Sequence, residues 1–278
     1  MTDVATPLPE FDNPPVVEVA LSVQFETLTN LRTPQLGLLW QEFRDRFPTT
    51  EDHPPLDSVI ERFGVPPTTK GVARFQMLSA PPVPRCWFLN KEGTELVQVQ
   101  QDRFAHNWRK VGDKDTYPRY DHVRTTFENE VRRFGEFLSH QEVGTFIPNQ
   151  CEITYVNHIT SGDGWKTHGE LGAVLTLFTP QYTDSFRPDP EDGRLSVRYT
   201  IPSDSGEPVG RLHVAVEPVY RSADDTPMFA LTLTARGRPL GDGLPGVLAF
   251  LDLGREWIVR MFASITTPVM HKTWRRKQ

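Results

Sequence analysis

Residues 16–25, VVEVALSVQF, alternate along the chain. Val17, Val19, Leu21, Val23 and Phe25 fall on one side, and Glu18, Ala20, Ser22 and Gln24 on the other. A strand buried on one face has this period of two. The pattern changes at Thr33-Pro34, a helix-capping residue type followed by one favoured in the first turn. Leu36, Leu39, Trp40, Phe43 and Phe47 then recur at helical spacing until Pro48 stops the run. Residues 49–69 are rich in proline and acids, and read as a long connection with one short helix near 56–63. Strands are predicted over 72–78, 85–90, 95–101 and 103–109, with Lys91-Glu92-Gly93 as a hairpin turn. Val123, Phe127, Val131, Phe134 and Leu138 mark an amphipathic helix over 120–139.

The pattern then starts again. CEITYVNHI alternates from Cys151, and Glu152–Val156 lines up with Glu18–Ser22. A weak helix or turn near 165–174 is followed by strands over 194–201, 211–219 and 229–236. A long helix over 244–265 carries a stripe of Val247, Leu251, Ile258, Met261 and Phe262. Thr266-Thr267-Pro268 opens a last short helix. Each half reads strand, helical segment, antiparallel strands, long helix, which is the mark of a duplication. The expected fold is α+β: a curved antiparallel sheet, or two, with both long helices packed on one face. Residues 1–15 form an extended arm with Phe11 turned into the body. Residues 16–145 make the first half and 146–278 the second, together one compact unit. The TATA-box-binding protein is similar in its order of elements over two halves, which speaks to plan and not to function.

At 278 residues, with 37% hydrophobic and 24% charged residues, the chain has enough apolar material for a real core. Its net charge of −6 argues against a protein that coats nucleic acid indiscriminately. Cys86 and Cys151 lie in strand patterns and read as buried thiols, not as a disulfide framework. No charged segment followed by an apolar one opens the sequence, and no apolar run approaches the ~20 residues of a membrane span. A cytoplasmic protein without a membrane partner is expected. The eight histidines show no His-x-x-x-His spacing, and the sequence contains no phosphate loop, dinucleotide fingerprint or nucleophile elbow. No metal, cofactor or catalytic residue is assigned.

Charge is spread unevenly. Between residues 103 and 124, six cations face three carboxylates, a local excess of +3 in an acidic chain. Gln98 and Gln100 share one strand face just before this stretch. Arg103, Asn107, Trp108 and Arg109 offer guanidinium forks, a two-way amide and a stacking ring, and could hold a nucleotide or an anionic peptide. Against this, Trp108 is core, Arg109 pairs with Asp113 or Asp115, and Asn107 caps a turn. Tyr117, Arg119 and Tyr120 precede a helix whose N-terminus favours anions, or they staple that helix to the sheet. Tyr155 and Asn157 point the same way in the strand that opens the second half. A buried Asn needs a partner, and a structural Tyr–Asn–Gln network would supply one. Glu18 and Glu152 are the symmetry-related acids, either a carboxylate pair or partners of arginines. Arg275-Arg276-Lys277 reads as a solvated tail.

The strand PPVVEVALSVQF, the middle NWRK…YPRY, CEITYVNHI and the closing MHKTW together resemble a sporadically distributed bacterial family of uncharacterised proteins. The likeness covers nearly the whole chain; where that family would end in Trp-Gly, this chain has Trp274-Arg275. The resemblance implies no activity, cofactor or site residue, and patchy distribution is associated with mobile or defence-associated loci. The expected function is a non-enzymatic binding or accessory protein that meets its partner, foremost another protein, through the basic, aromatic strip. Nucleic acid or a nucleotide is the second class of partner, and a homodimer stays open. The alternative is an enzyme or sensor for a nucleotide or other phosphate ester. Arg109 and Arg119 would hold the anion, Trp108 or Tyr117 would stack, and Glu18 would take a proton. That version requires all of them to converge on one pocket.

Overall fold

The strands and helices form where the alternation and the apolar stripes lie. The computed structural model describes residues 7–64, 82–162, 164–179, 186, 188 and 190–277. Among them, the strands are β1 (Val16–Phe25), β2 (Thr49–His53), β3 (Arg85–Leu89), β4 (Glu95–Gln100), β5 (Arg103–Arg109), β6 (Pro148–Thr160), β7 (Leu195–Pro202), β8 (Pro208–Tyr220) and β9 (Pro227–Gly237). The helices are α1 (Thr33–Phe43), α2 (Tyr120–His140), α3 (Leu171–Val174), α4 (Gly243–Ile265) and α5 (Pro268–Thr273), with a 3₁₀ turn at His168–Glu170. All nine strands join one open antiparallel sheet in the order β2-β3-β4-β5-β1-β6-β9-β8-β7.

The two halves meet at the β1–β6 pair. A shift of 134 residues carries Glu18 onto Glu152 and Ser22 onto Val156. It also carries the pairing Glu18↔Val156 onto Glu152↔Ser22, so the ladder is self-complementary about Ala20↔Thr154. In each half the last strand before the long helix returns to lie beside the first, and the others fan outwards. The duplicated α+β plan, with its long helices on one face, is therefore what the chain builds.

Helix α2 packs on β5 and β1, and α4 on β6 and β9. Val123, Phe127, Val131, Phe134 and Leu138 of α2 are buried against Val19, Leu21, Val23 and Phe25 and their neighbours. Phe134 sits 5.2 Å from the ring of Phe104 and 5.6 Å from that of Phe25. Each such ring contributes about 1.5–3 kcal/mol through burial. Gly254 lets α4 approach closely: a Cβ there would stand 2.7 Å from Ile153 Cγ2 and 3.0 Å from Ala235 Cβ. Gly93 adopts φ +72° in the β3–β4 turn, where a side chain is disfavoured. Cys86 and Cys151 are buried free thiols. Burial and the neighbouring Asp52 push the Cys86 thiol up to about 12, and burial raises Cys151 as well, so neither is a ready nucleophile.

Three expectations change, and a fourth falls outside the described residues. Residues 56–63 form no helix but run extended, and the connection before them contains the edge strand β2. The expected strand over 72–78 lies outside the described residues. Thr33 is the first helical residue of α1, with Arg32 in the capping position and no side-chain cap. Arg275–Lys277 is not a free tail: Arg276 bridges to Phe11, and Lys277 binds the carboxylates of Glu10 and Asp12. This pairing clamps the N-terminal arm, and Phe11 is buried beside Phe262 and Trp274. Among the described residues, no helix is long and apolar enough to cross a membrane.

Candidate functional site

The side chains that alternate away from the helices make a polar face, and the chain itself crosses it. From β4 to β8, Gln100, Arg103, Gln24, Gln150, Arg236 and Arg211 lie on six neighbouring strands. Residues 54–64 form a strap at right angles to them. Gln100 grips the main chain of one residue at two points: its Oε1 accepts from Leu56 N at 3.0 Å and its Nε2 donates to Leu56 O at 2.9 Å. Gln24 does the same to Val59, at 2.9 Å and 2.7 Å. Gln150 accepts from Glu61 N at 3.3 Å, and Arg103 donates to Asp57 O at 3.1 Å and to Gln24 Oε1 at 2.7 Å. These amides are buried beneath the strap.

The dimensions explain why this segment is not helical. Six strands spaced about 4.8 Å apart span about 24 Å. An eight-residue helix would cover only about 12 Å. Nearly extended chain at about 3.3 Å per residue reaches most of the way, and the side chain of Glu61 closes the rest. Its carboxylate is 6% exposed. It binds Arg211, His213 (2.6 Å) and, more distantly, Arg236 (3.5 Å). Burial alone would raise its pKa. The hydrogen bond from His213 and the charges of His213, Arg211 and Arg236 outweigh that and hold it below the ordinary 4.5. Arg211 also donates to Arg62 O and stacks on Phe63. Meanwhile Leu56, Val59 and Ile60 remain 41%, 39% and 48% exposed. The strap is held by its main chain, by the Ser58 hydroxyl on Asp102 and by one acid, hardly by apolar contact.

Beyond the strap, the same face carries a hydrogen-bonded row. Arg85 donates to Gln98 (2.8 Å), Gln98 to Asn107 (2.8 Å) and Asn107 to Glu18 (2.5 Å). Asn107 thus caps no turn. Arg109 donates to Gly93 O at 2.8 Å, not to Asp113 or Asp115, and lies over Trp87. Glu152 pairs with Arg236. Comparison with protein-family models, with curated proteins and with solved structures finds no match. What this face does must therefore be read from its geometry.

The remaining candidates lie on the opposite face. Trp108 alternates inwards and is core, 5.5 Å from the ring of Tyr117. Tyr117, Arg119, Tyr120, Tyr155 and Asn157 surround a cavity under α4. Tyr155 bonds the Tyr117 hydroxyl at 2.9 Å, and Asn157 donates to Leu231 O at 3.1 Å, so no Tyr–Asn–Gln network forms. Glu18 and Arg109 are register partners on the polar face. Arg119, Trp108 and Tyr117 are on the other side of the sheet. The expected phosphate-ester site therefore does not assemble. Gln24, Gln150, Glu61, Arg211, His213 and Arg236 complete the strapped face and were not singled out by pattern. The signal for Gln24 and Gln150 was their place on the polar side of the two central strands.

Proposed function

We propose that this is a binding protein whose polar sheet face takes an extended segment of a partner protein, with residues 54–64 as its resident occupant. The observation that carries the reading is the pair of two-point grips by Gln24 and Gln100 on the strap's main chain. Grips of this kind accept many sequences, whereas the Arg211–His213–Arg236 cluster demands a carboxylate five residues after the first grip. The resident occupant is also an imperfect one. Gln150 Nε2 and Arg103 Nε are buried without partners, and each such group costs about 1–3 kcal/mol. A partner segment that satisfied them would bind better than the strap does.

A nucleic-acid partner fits less well, because Arg103, Arg109, Arg211 and Arg236 are already engaged by Glu61, Glu152 and main-chain carbonyls. Membership of the resembled bacterial family, and a place in a mobile or defence-associated locus, belong to the same proposal. The test uses a labelled peptide of residues 54–64, PPLDSVIERFG. It is titrated into the full-length protein carrying Glu61→Arg, which loosens the resident strap. Saturable binding, weakened at least about tenfold in a peptide with Glu61→Arg, supports the reading. No binding to a folded variant whose strap is loosened would refute it.

A further inference from the structure

The helix-bearing face holds a second site, independent of the strap. A cavity of about 350 Å³ opens between the entry to α2, the middle of α4, the sheet below and the N-terminal arm above. Close packing leaves few such spaces unless they serve a ligand. Its lining divides in two. Ile258, Val259 and Phe262 of α4, with Val16 and Leu233 of the sheet, supply an apolar wall. Tyr117, Tyr120, Tyr155 and Arg255 gather at the other end, with the carboxylate of Asp121 also in the lining.

Arg255 is the group whose presence packing does not explain. Its guanidinium lies 4.8 Å from the centre of the Tyr120 ring and bonds the Tyr155 hydroxyl. Its Nε is buried without a hydrogen-bond partner. A cation kept partly from water is costly unless an anion meets it. The other cations of the lining are committed. Arg119 donates to Phe11 O (3.0 Å) and Asp12 O (3.4 Å), and Lys277 binds Glu10 (3.1 Å). Both therefore fasten the arm over the cavity. Arg119 does so from φ +74°, outside the ordinary range for a non-glycine residue, a conformation that persists where surrounding contacts enforce it. Asp252 is taken by Tyr120 and Arg124. Burial raises the phenols of Tyr117, Tyr120 and Tyr155, so all three remain neutral hydroxyls at ordinary pH.

We infer that this cavity binds a small organic carboxylate with an apolar body, its head on Arg255 and the tyrosine hydroxyls and its body against Ile258, Val259 and Phe262. Carboxylate suits the planar fork of Arg255, which meets only rings and a neutral hydroxyl and whose Nε has no partner. The apolar wall excludes a freely hydrated inorganic anion, and the volume suits acids of the size of benzoate or octanoate.

The experiment titrates the full-length protein with benzoate and octanoate, and with benzamide and octanol as uncharged counterparts, by calorimetry and by chemical shifts of the α4 amides. The expected result is saturable binding of at least one acid, at least about tenfold tighter than its uncharged counterpart and lost at least about tenfold in Arg255→Gln. Should Arg255→Gln fail to fold, Val259→Trp, which fills the cavity from α4, must abolish binding in its place. Three results would overturn the assignment: neither acid binding at about 10 mM, acids and uncharged counterparts binding alike, or affinity unchanged in the substituted protein.

Discussion

On one face of the sheet, polar side chains from six strands grip the main chain of residues 54–64. On the other, rings and aliphatic groups of α2 and α4 fill the space, and polar groups cluster at one cavity. The first attachment rests on hydrogen bonds and one carboxylate, each contributing about 1 kcal/mol net. The second rests on burial of many large side chains. On that basis a segment of the first kind is expected to open without unfolding the rest, and a segment of the second kind is not. On the proposed reading, the difference separates a surface open to a partner segment from one that holds the molecule together.

The largest test of that difference is Phe134→Ala. It removes a ring with no exposed surface and should cost about 3–5 kcal/mol of global stability in denaturant unfolding. Next comes Glu130→Ala. Glu130 Oε2 lies 2.8 Å from Nδ1 of the fully buried His106, and its Oε1 accepts from Arg46 at 2.9 Å. Removing the acid leaves Arg46 without this acceptor and opens space beside His106, and should cost about 1–3 kcal/mol, again globally. Gln24→Ala or Gln100→Ala should loosen the strap by about 1 kcal/mol. Limited proteolysis within 54–64 should reveal this while the midpoint of global unfolding barely moves. A global loss as large as that of Phe134→Ala would mean the strap is part of the core.

The smallest expected effect is on pH. Glu61 has a lowered pKa in the folded protein. Its contribution to strap attachment is therefore complete above the ordinary value of 4.5 and is lost as pH falls through the lower, folded value. Proteolysis of the strap should accelerate in that acid window. Glu61→Gln should remove the dependence and leave the strap loose at every pH.

The sequence made the fold readable and the site only half readable, for one physical reason. Period-two and helical patterns report which side of an element faces the core, and here they placed nearly every described element within a few residues. They do not report what lies on the polar side. LDSVIERF has helical spacing of its apolar residues, yet Leu56, Val59 and Ile60 stay exposed because the main-chain groups of Leu56 and Val59 are taken by glutamines distant in sequence. The same alternation that put Gln98, Gln100, Arg103, Asn107 and Arg109 on the polar face turned Trp108 inwards. A stretch that reads as one cluster is thus divided between two faces. Arg211, His213 and Arg236 gave no local signal, since only the strap's path makes them a site.

Hydrogen exchange of the strap amides tests the central claim most directly. Leu56, Val59 and Glu61 donate to Gln100, Gln24 and Gln150, and their exchange can be compared with that of the central strands β1 and β6 in the intact protein. The account predicts measurable protection that is lost through local opening, far faster than exchange of the β1 and β6 amides, and lost further in Gln24→Ala. Exchange of the strap at the same slow rate as the central strands would contradict it, because the strap would then open only when the whole protein unfolds.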